Sequence, residues 1–320
     1  MTTKKRGLKV LIPYIQIARP DHWFKNVFMI PGVVLAFYET PVPLSVDIVS
    51  SLLLAFISTC LIASSNYTIN EILDAPQDKL HPVKKNRAVP SGLVNLKIGY
   101  AQWGLLAVIG LLIGWRVNLW FFLSLLSLFI MGMFYNIRPF RLKDLPYFDV
   151  LSESVNNPIR LFLGWFAINT LYPPTLSLIM AYWMIGAFFM AIKRYAEYRR
   201  IGDARIAAEY RKSFSYYNEY RLILSIVYYA CAFSFFFGVF IVRYRMELIL
   251  SVPFLAGFIP VYMRLAFWDD SPAQYPEHLY KQRGLVLYTS FCVAVVLFLL
   301  VVDIPVIEQM FRPFAWQVAD

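Results

Sequence analysis

Cysteine, histidine and charge are all scarce in this chain. Its three cysteines, Cys60, Cys231 and Cys292, each stand alone inside an apolar run. That spacing fits neither a zinc site nor a disulfide framework, so they read as inert packing residues. The three histidines, His22, His81 and His278, lie too far apart to give metal-ligand spacing. His81 either binds phosphate or shapes its loop. Charged residues fill only 16% of 320 positions, against 59% hydrophobic ones. A soluble chain of this length would interrupt its apolar runs at amphipathic spacing; here the runs are long and apolar all round, which reads as membrane spans. Acidic residues are outnumbered by basic ones, 20 to 30, for a net charge of +10. Nucleic acid is one reading of that excess, but in a membrane protein loop position explains it better. The basic N-terminal start is followed by no cleavable apolar region, so no leader peptide is expected.

Nine candidate spans cover 27–46, 51–70, 99–116, 118–136, 150–170, 175–193, 220–242, 247–267 and 285–303. Pro31, Pro41 and Pro43 interrupt the first; spans tolerate proline where neighbouring groups satisfy the freed carbonyls. The fifth carries Asn156, Asn157, Pro158 and Arg160, too polar to face lipid, and is expected to line the bundle interior. Of the 30 Lys and Arg residues, 25 lie before the first span or after an even-numbered one, and four lie on the other side. That asymmetry predicts a cytoplasmic N-terminus and an external C-terminus. The expectation is a single all-α integral membrane domain over 1–320, with nine transmembrane helices.

Where the second span meets a basic segment, the chain reads Asn70-Glu71-Ile72-Leu73-Asp74-Ala75-Pro76-Gln77-Asp78. Asn70, Asp74 and Asp78 are four residues apart, and oxygen donors at that spacing share one face of a helix. Ionisable groups at a membrane boundary are costly and tend to mark function. Hard cations such as Mg²⁺ accept such oxygens and leave positions open for substrate phosphates. A second acidic pair, Asp149 and Glu153, follows Asp74 after 75 residues. Two such pairs facing one cavity could clamp a diphosphate through two metal ions. The plainer readings are an interhelical hydrogen bond for Asn70 and a solvated helix end for the second pair.

The stretch Asn70-Glu71-x-x-Asp74-x-x-x-Asp78 resembles the first aspartate-rich motif of the UbiA superfamily of intramembrane prenyltransferases. The resemblance implies nine helices around a central cavity, with two aspartate-rich sites for Mg²⁺–diphosphate. That family usually has Asp where this chain has Glu71, which keeps the charge. Pro76 disfavours helix at Ala75 and is expected to put Asp78 on a turn, off the helical face. Three further stretches resemble the decaprenyl-phosphate phosphoribosyltransferase group of the superfamily. They are Arg19-Pro20-Asp21-His22-Trp23-Phe24-Lys25-Asn26, the run Asp78-Lys79-Leu80-His81-Pro82-Val83-Lys84-Lys85-Asn86-Arg87, and Lys193-Arg194-Tyr195-Ala196-Glu197. Members of that group attach phosphoribose, from phosphoribosyl diphosphate (PRPP), to a polyprenyl phosphate. Asp149-x-x-x-Glu153 matches no pattern of the group, which leaves donor and acceptor open.

The expected site follows. Asp74, Asp78 and Asp149 are the catalytic carboxylates. Asn70, Asp74, Asp78, Asp149 and Glu153 are the Mg²⁺ ligands. Lys25, Lys84, Arg87, Tyr135, Arg138, Lys143, Arg160, Lys193 and Arg194 grip phosphate or substrate, with Arg141 beside them. Arg160, deep in a span, needs an anionic ligand or a carboxylate; Glu153, two helical turns earlier, is one partner in reach. Segments 194–220 and 268–284 are expected as cytoplasmic caps, and Gly110-x-x-x-Gly114 as a helix-packing surface. The leading function is transfer of 5-phosphoribose from PRPP to a polyprenyl phosphate, making a cell-wall precursor at a bacterial plasma membrane. The alternatives are prenyl transfer from a prenyl diphosphate to an aromatic or other small acceptor, and a non-catalytic lipid-phosphate transporter or scaffold.

Overall fold

The computed structural model describes residues 3–79 and 84–311, with side chains described from residue 11 onward except at 276, 277 and 308. His81, and with it the middle of the run from Asp78 to Arg87, lies outside the described residues. Among those described there is helix and no strand.

The chain forms two compact units. The first holds Met1–Pro174 and Arg205–Tyr216. It begins with α1 (Thr3–Ala18), a 3-10 stretch (Pro20–Met29) and α2 (Ile30–Glu39). Then come α3 (Val46–Asp78), α4 (Leu96–Trp115), α5 (Leu119–Asn136), α6 (Phe148–Ser154) and α7 (Asn156–Phe166). The second unit holds Thr175–Ala204 and Tyr217–Asp320. It starts with α8 (Leu176–Ile201); α9 (Ala204–Tyr210) follows, and from Arg205 the chain belongs to the first unit. The second unit resumes with α10 (Glu219–Tyr244), α11 (Val252–Arg264), α12 (Arg283–Val301) and α13 (Pro305–Phe311).

Side-chain caps set several of these starts. Ser45, Asn95, Asn118 and Asn218 accept the first free backbone N–H groups of α3, α4, α5 and α10. Such caps satisfy donors that have no partner inside the helix. Gly202, at φ 69°, ends α8 in the left-handed conformation that glycine adopts most readily.

Among the described residues, seven segments are long and apolar enough to cross a membrane: α3, α4, α5, α8, α10, Met246–Phe267 and α12. The protein is an all-helical integral membrane protein. The expected first and fifth spans take a different form. In 27–46 the helix stops at Glu39, ahead of Pro41 and Pro43, and α3 starts afresh at Val46. In 150–170 the helix divides at Val155. Pro158 has no N–H to give the Ser154 carbonyl, which accounts for the break. Large apolar side chains such as Leu105, Leu112, Leu287 and Val301 are more than 60% exposed. Lipid, rather than water, is the solvent that suits such a surface.

Close approach is built with glycine in the first unit. A Cβ at Gly164 of α7 would lie 2.0 Å from the Met29 carbonyl oxygen, and one at Gly32 of α2 would lie 2.1 Å from that of Leu161. Backbones can pack that tightly only where side chains are absent. Gly110 and Gly114 of α4 instead make room for side chains, those of Ile62 and Leu125. In the second unit α8 packs along α10, and Phe188, Phe189, Phe258 and Tyr262 form an aromatic cluster between α8 and α11.

The end of α3 corrects one sequence expectation. The helix runs through Pro76 to Asp78, and the Lys79 N–H donates to the Ala75 carbonyl. Tertiary contacts hold this last turn. Ile72 and Ala75 pack with Ile17, Ala88, Val89 and Val94. Buried Glu71 accepts the Val89 N–H at 3.2 Å, tying the following loop back onto the helix.

Candidate functional site

Asp74 sits one turn before the end of α3, with its side chain 20% exposed. Three elements converge on it. Its Oδ2 accepts from the Asn70 amide at 3.2 Å, on the same helical face. Its Oδ1 accepts from Arg141 Nη2 at 3.0 Å and from Lys143 Nζ at 2.5 Å. Asn136, the last residue of α5, joins them: its Oδ1 accepts from Asn70 at 2.6 Å and from Lys143 at 2.9 Å. Arg141 adopts φ 31°, a left-handed turn that sends the chain back so that both cations reach one carboxylate. Burial pushes the Lys143 ammonium down to about 8, opposed by the Asp74 charge and reinforced by Arg141.

Asp78, at the end of α3, is buried and pairs with Arg87 at 2.7 Å. Lys84 hydrogen-bonds the Tyr210 hydroxyl and stands 4.9 Å from the centre of that ring.

The second acidic pair is separated by environment. Asp149, on α6, is fully buried; it accepts from the Ser213 hydroxyl at 3.1 Å and faces Arg211 Nε at 3.6 Å. Glu153 is half-buried and accepts from the Tyr135 hydroxyl at 3.1 Å. That hydroxyl in turn accepts from Arg211 Nη2 at 3.2 Å, and Lys143 Nζ lies 5.6 Å from the Tyr135 ring centre. A continuous path therefore joins the acidic pairs: Asp74, Lys143, Tyr135, Arg211, Asp149.

The remaining expected residues stand elsewhere. Lys25 and Arg19 both lie 5.7 Å from the centre of the Tyr67 ring, one turn before Asn70. Arg160 is buried; its Nε donates to Asn26 Oδ1 at 3.0 Å and its Nη1 to the Asn156 carbonyl at 3.3 Å. Asn26 also donates to Cys60 Sγ. Arg138 is exposed. Lys193 and Arg194 belong to the second unit, where Lys193 is half-buried and Arg194 is buried with Glu197 at 3.5 Å. Within that unit Arg200 reaches Tyr275 of the 268–284 segment at 2.8 Å.

Four site residues escaped the sequence reading: Asn136, Tyr210, Arg211 and Ser213. The last three lie in the expected cap segment 194–220, which marked them only as a group, and nothing marked Asn136 beyond its place at the end of an apolar run.

The donor chemistry for a metal is uneven. Among the described residues no three His, Cys, Asp or Glu side chains gather closely enough to hold an ion. Mg²⁺ does not need three, since one or two carboxylates suffice when substrate phosphates complete its shell. Asp74, partly exposed and with the Asn70 amide on the same face, meets that requirement. Asp149, with no exposed surface and two partners already, does not meet it without moving.

An apolar helical exterior around a membrane-edge cluster of carboxylates, amides and cations defines a class of lipid-embedded protein that handles anions. Comparison with known proteins gives the class a family. The UbiA prenyltransferase family model matches residues 27–291, and the chain belongs to that family. It is 31% identical over 209 residues to decaprenyl-phosphate phosphoribosyltransferase of Mycolicibacterium smegmatis, covering 64% of this chain and 62% of that one. It is 29% identical over 206 residues to the Mycobacterium tuberculosis protein of the same name, covering 64% and 66%. The match thus spans less than two thirds of either relative. In fold it resembles a UbiA homolog from Archaeoglobus fulgidus solved with GPP and Mg²⁺, with a TM-score of 0.66 and 19% identity over 89% of this chain and 99% of that one. The same protein with DMAPP and Mg²⁺ gives a TM-score of 0.67 at 20% identity, covering 88% and 98%.

Proposed function

We propose that this protein transfers 5-phosphoribose from PRPP to a polyprenyl phosphate and releases diphosphate. The observation that carries the reading is the convergence of Arg141 and Lys143 on Asp74, beside Asn70 and Asn136. A diphosphate donor needs that mixture: carboxylate and amide oxygens for a cation, and ammonium and guanidinium groups for phosphate oxygens. The names of the mycobacterial relatives support transfer of a phosphoribosyl group to a polyprenyl phosphate.

In the reaction the bond from the ribose anomeric carbon to the diphosphate oxygen breaks, and an oxygen of the lipid phosphate forms the new bond to that carbon. The acceptor is already an anion, so no side chain has to remove a proton. The protein's work is alignment and charge neutralisation. Asp74 and Asn70 would hold Mg²⁺, with Asp78 held by Arg87 below them. The ion, when bound, would supply charge neutralisation to the departing diphosphate. Arg141 and Lys143, now paired with Asp74, would turn to the phosphate oxygens. Lys84, Arg87, Tyr135 and Arg138 are proposed as phosphate or substrate contacts in the first unit; Lys25 and Arg160 are the proposed contacts for the lipid phosphate. Lys193 and Arg194, in the second unit, are proposed phosphate contacts on the strength of their sequence match alone. The charge asymmetry of the loops supports a site open to the cytoplasm of a bacterial plasma membrane.

Purified protein given radiolabelled PRPP, polyprenyl phosphate and Mg²⁺ should place label in the lipid fraction. Chelation should stop transfer and added Mg²⁺ restore it. Label entering product only from prenyl diphosphate, the class of donor bound by the archaeal neighbours, would replace this reading with prenyl transfer. No turnover with either donor would leave a non-catalytic lipid-phosphate protein.

A further inference from the structure

We infer that Asp149 is a positioning residue rather than a metal ligand: through Ser213 and Arg211 it docks the 205–216 segment and so delivers Arg211 to the acidic site. The docking stands on geometry alone; its kinetic consequence rests on the transferase reading above.

Three observations carry the inference. Asp149 has no exposed surface, and it spends Oδ2 on the Ser213 hydroxyl and the Arg211 guanidinium. A buried carboxylate is tolerated only when paired and hydrogen-bonded, so these partners are required by its burial. Mg²⁺ gives up water reluctantly and binds where substrate phosphates can reach it, which a sealed carboxylate does not offer.

Next, the segment cannot hold its own shape. α9 has seven residues and the 3-10 turn Lys212–Ser215 has four, both below the length at which a helix persists alone. The segment is held by what it touches in the first unit. Ala207 and Phe214 are buried, Tyr216 meets the edge of Tyr147, and Tyr210 takes Lys84. Asp149 adds a buried ionic contact to these.

Finally, the docked segment puts a cation where the site can use it. Arg211 bonds the Tyr135 hydroxyl, whose ring lies beside Lys143 and whose proton goes to Glu153. Loss of that ionic contact removes Arg211 from that position without touching Asp74 or Lys143.

Hydrogen exchange on the full-length protein in detergent tests this with D149N, R211Q and S213A. In D149N and R211Q the 205–216 amides should exchange about ten-fold faster or more, while α10 and α12 stay unchanged. Mn²⁺ bound in the presence of inorganic diphosphate should stay within about three-fold of wild type in D149N and be lost in D74N. The donor KM should rise about ten-fold in D149N with kcat nearly kept, and D149N/R211Q should be no worse than the weaker single variant. Unchanged exchange in both D149N and R211Q would overturn the inference. Loss of Mn²⁺ in D149N equal to that in D74N would overturn it as well. Should D149N fail to fold, R211Q and S213A carry the exchange measurement, and full protection in both sinks the idea. Absence of transfer from PRPP would refute the transferase reading while leaving the exchange and Mn²⁺ results to decide this one.

Discussion

Lys143 Nζ lies 2.5 Å from Asp74 Oδ1, although 69 residues separate them in the chain. The pair is mostly shielded, with side-chain exposures of 8% and 20%. Charge-assisted bonds in such surroundings are strong, and removing one partner leaves the other costly to keep. Asp74→Asn should lower phosphoribosyl transfer about 100-fold or more, and Lys143→Met about 10- to 100-fold. The double variant should fall well short of the product of the single effects, because the two act on one donor. Steady-state rates with PRPP measure all three, and strict additivity would mean independent roles.

Tyr135 separates two contributions in one side chain. Its hydroxyl links Glu153 and Arg211, while its ring lies beside Lys143. Tyr135→Phe keeps the ring and loses the link, so the donor KM should rise about ten-fold or more, as for one lost hydrogen bond to charged groups. Tyr135→Ala should cost more, since the ring goes too. Equal effects from Phe and Ala would show that the hydroxyl alone matters.

Asn26 and Arg160 form a buried polar contact between the 3-10 stretch and α7. Asn26→Leu should reduce stability by about 1.5–3 kcal/mol, the worth of a hydrogen bond to a charged group. The double variant Asn26→Leu with Arg160→Met should recover part of that loss, since a buried polar pair can give way to apolar side chains. Thermal unfolding in detergent checks both; a double variant less stable than either single would refute the account.

Gly164 lies where a methyl group would meet backbone rather than a yielding side chain, 2.0 Å from the Met29 carbonyl oxygen. Gly164→Ala should destabilise by about 3 kcal/mol, the upper end for overpacking. Gly104, with nothing within 4 Å of an added Cβ, provides the matched control, and Gly104→Ala should be close to neutral or mildly stabilising. The difference in melting temperature between the two variants is the measurement.

How much of this was legible beforehand differs from element to element. Long apolar helices and the Asn70, Asp74, Asp78 spacing were readable because both are local patterns. The end of α3 was misjudged because a local rule at Ala75 was set against tertiary contacts that sequence does not display: Glu71 to the Val89 N–H, and Ile72 and Ala75 against Ile17 and Ala88. Arg160 plainly needed a partner, yet Asn26 lies 134 residues away and no spacing leads to it. Arg211 was hidden differently. It is one of 25 cations on the expected cytoplasmic side, where loop bias alone explains a positive charge.

The two cations already seated on Asp74 have a consequence for the order of events. A bare divalent ion approaching this carboxylate meets Arg141 and Lys143 before it meets uncompensated negative charge. On the transferase reading proposed above, affinity for the ion would be created by the donor, whose diphosphate would draw both side chains off and supply the counter-charge. The ion and diphosphate would then enter together, and occupancy by metal should track donor concentration rather than precede it.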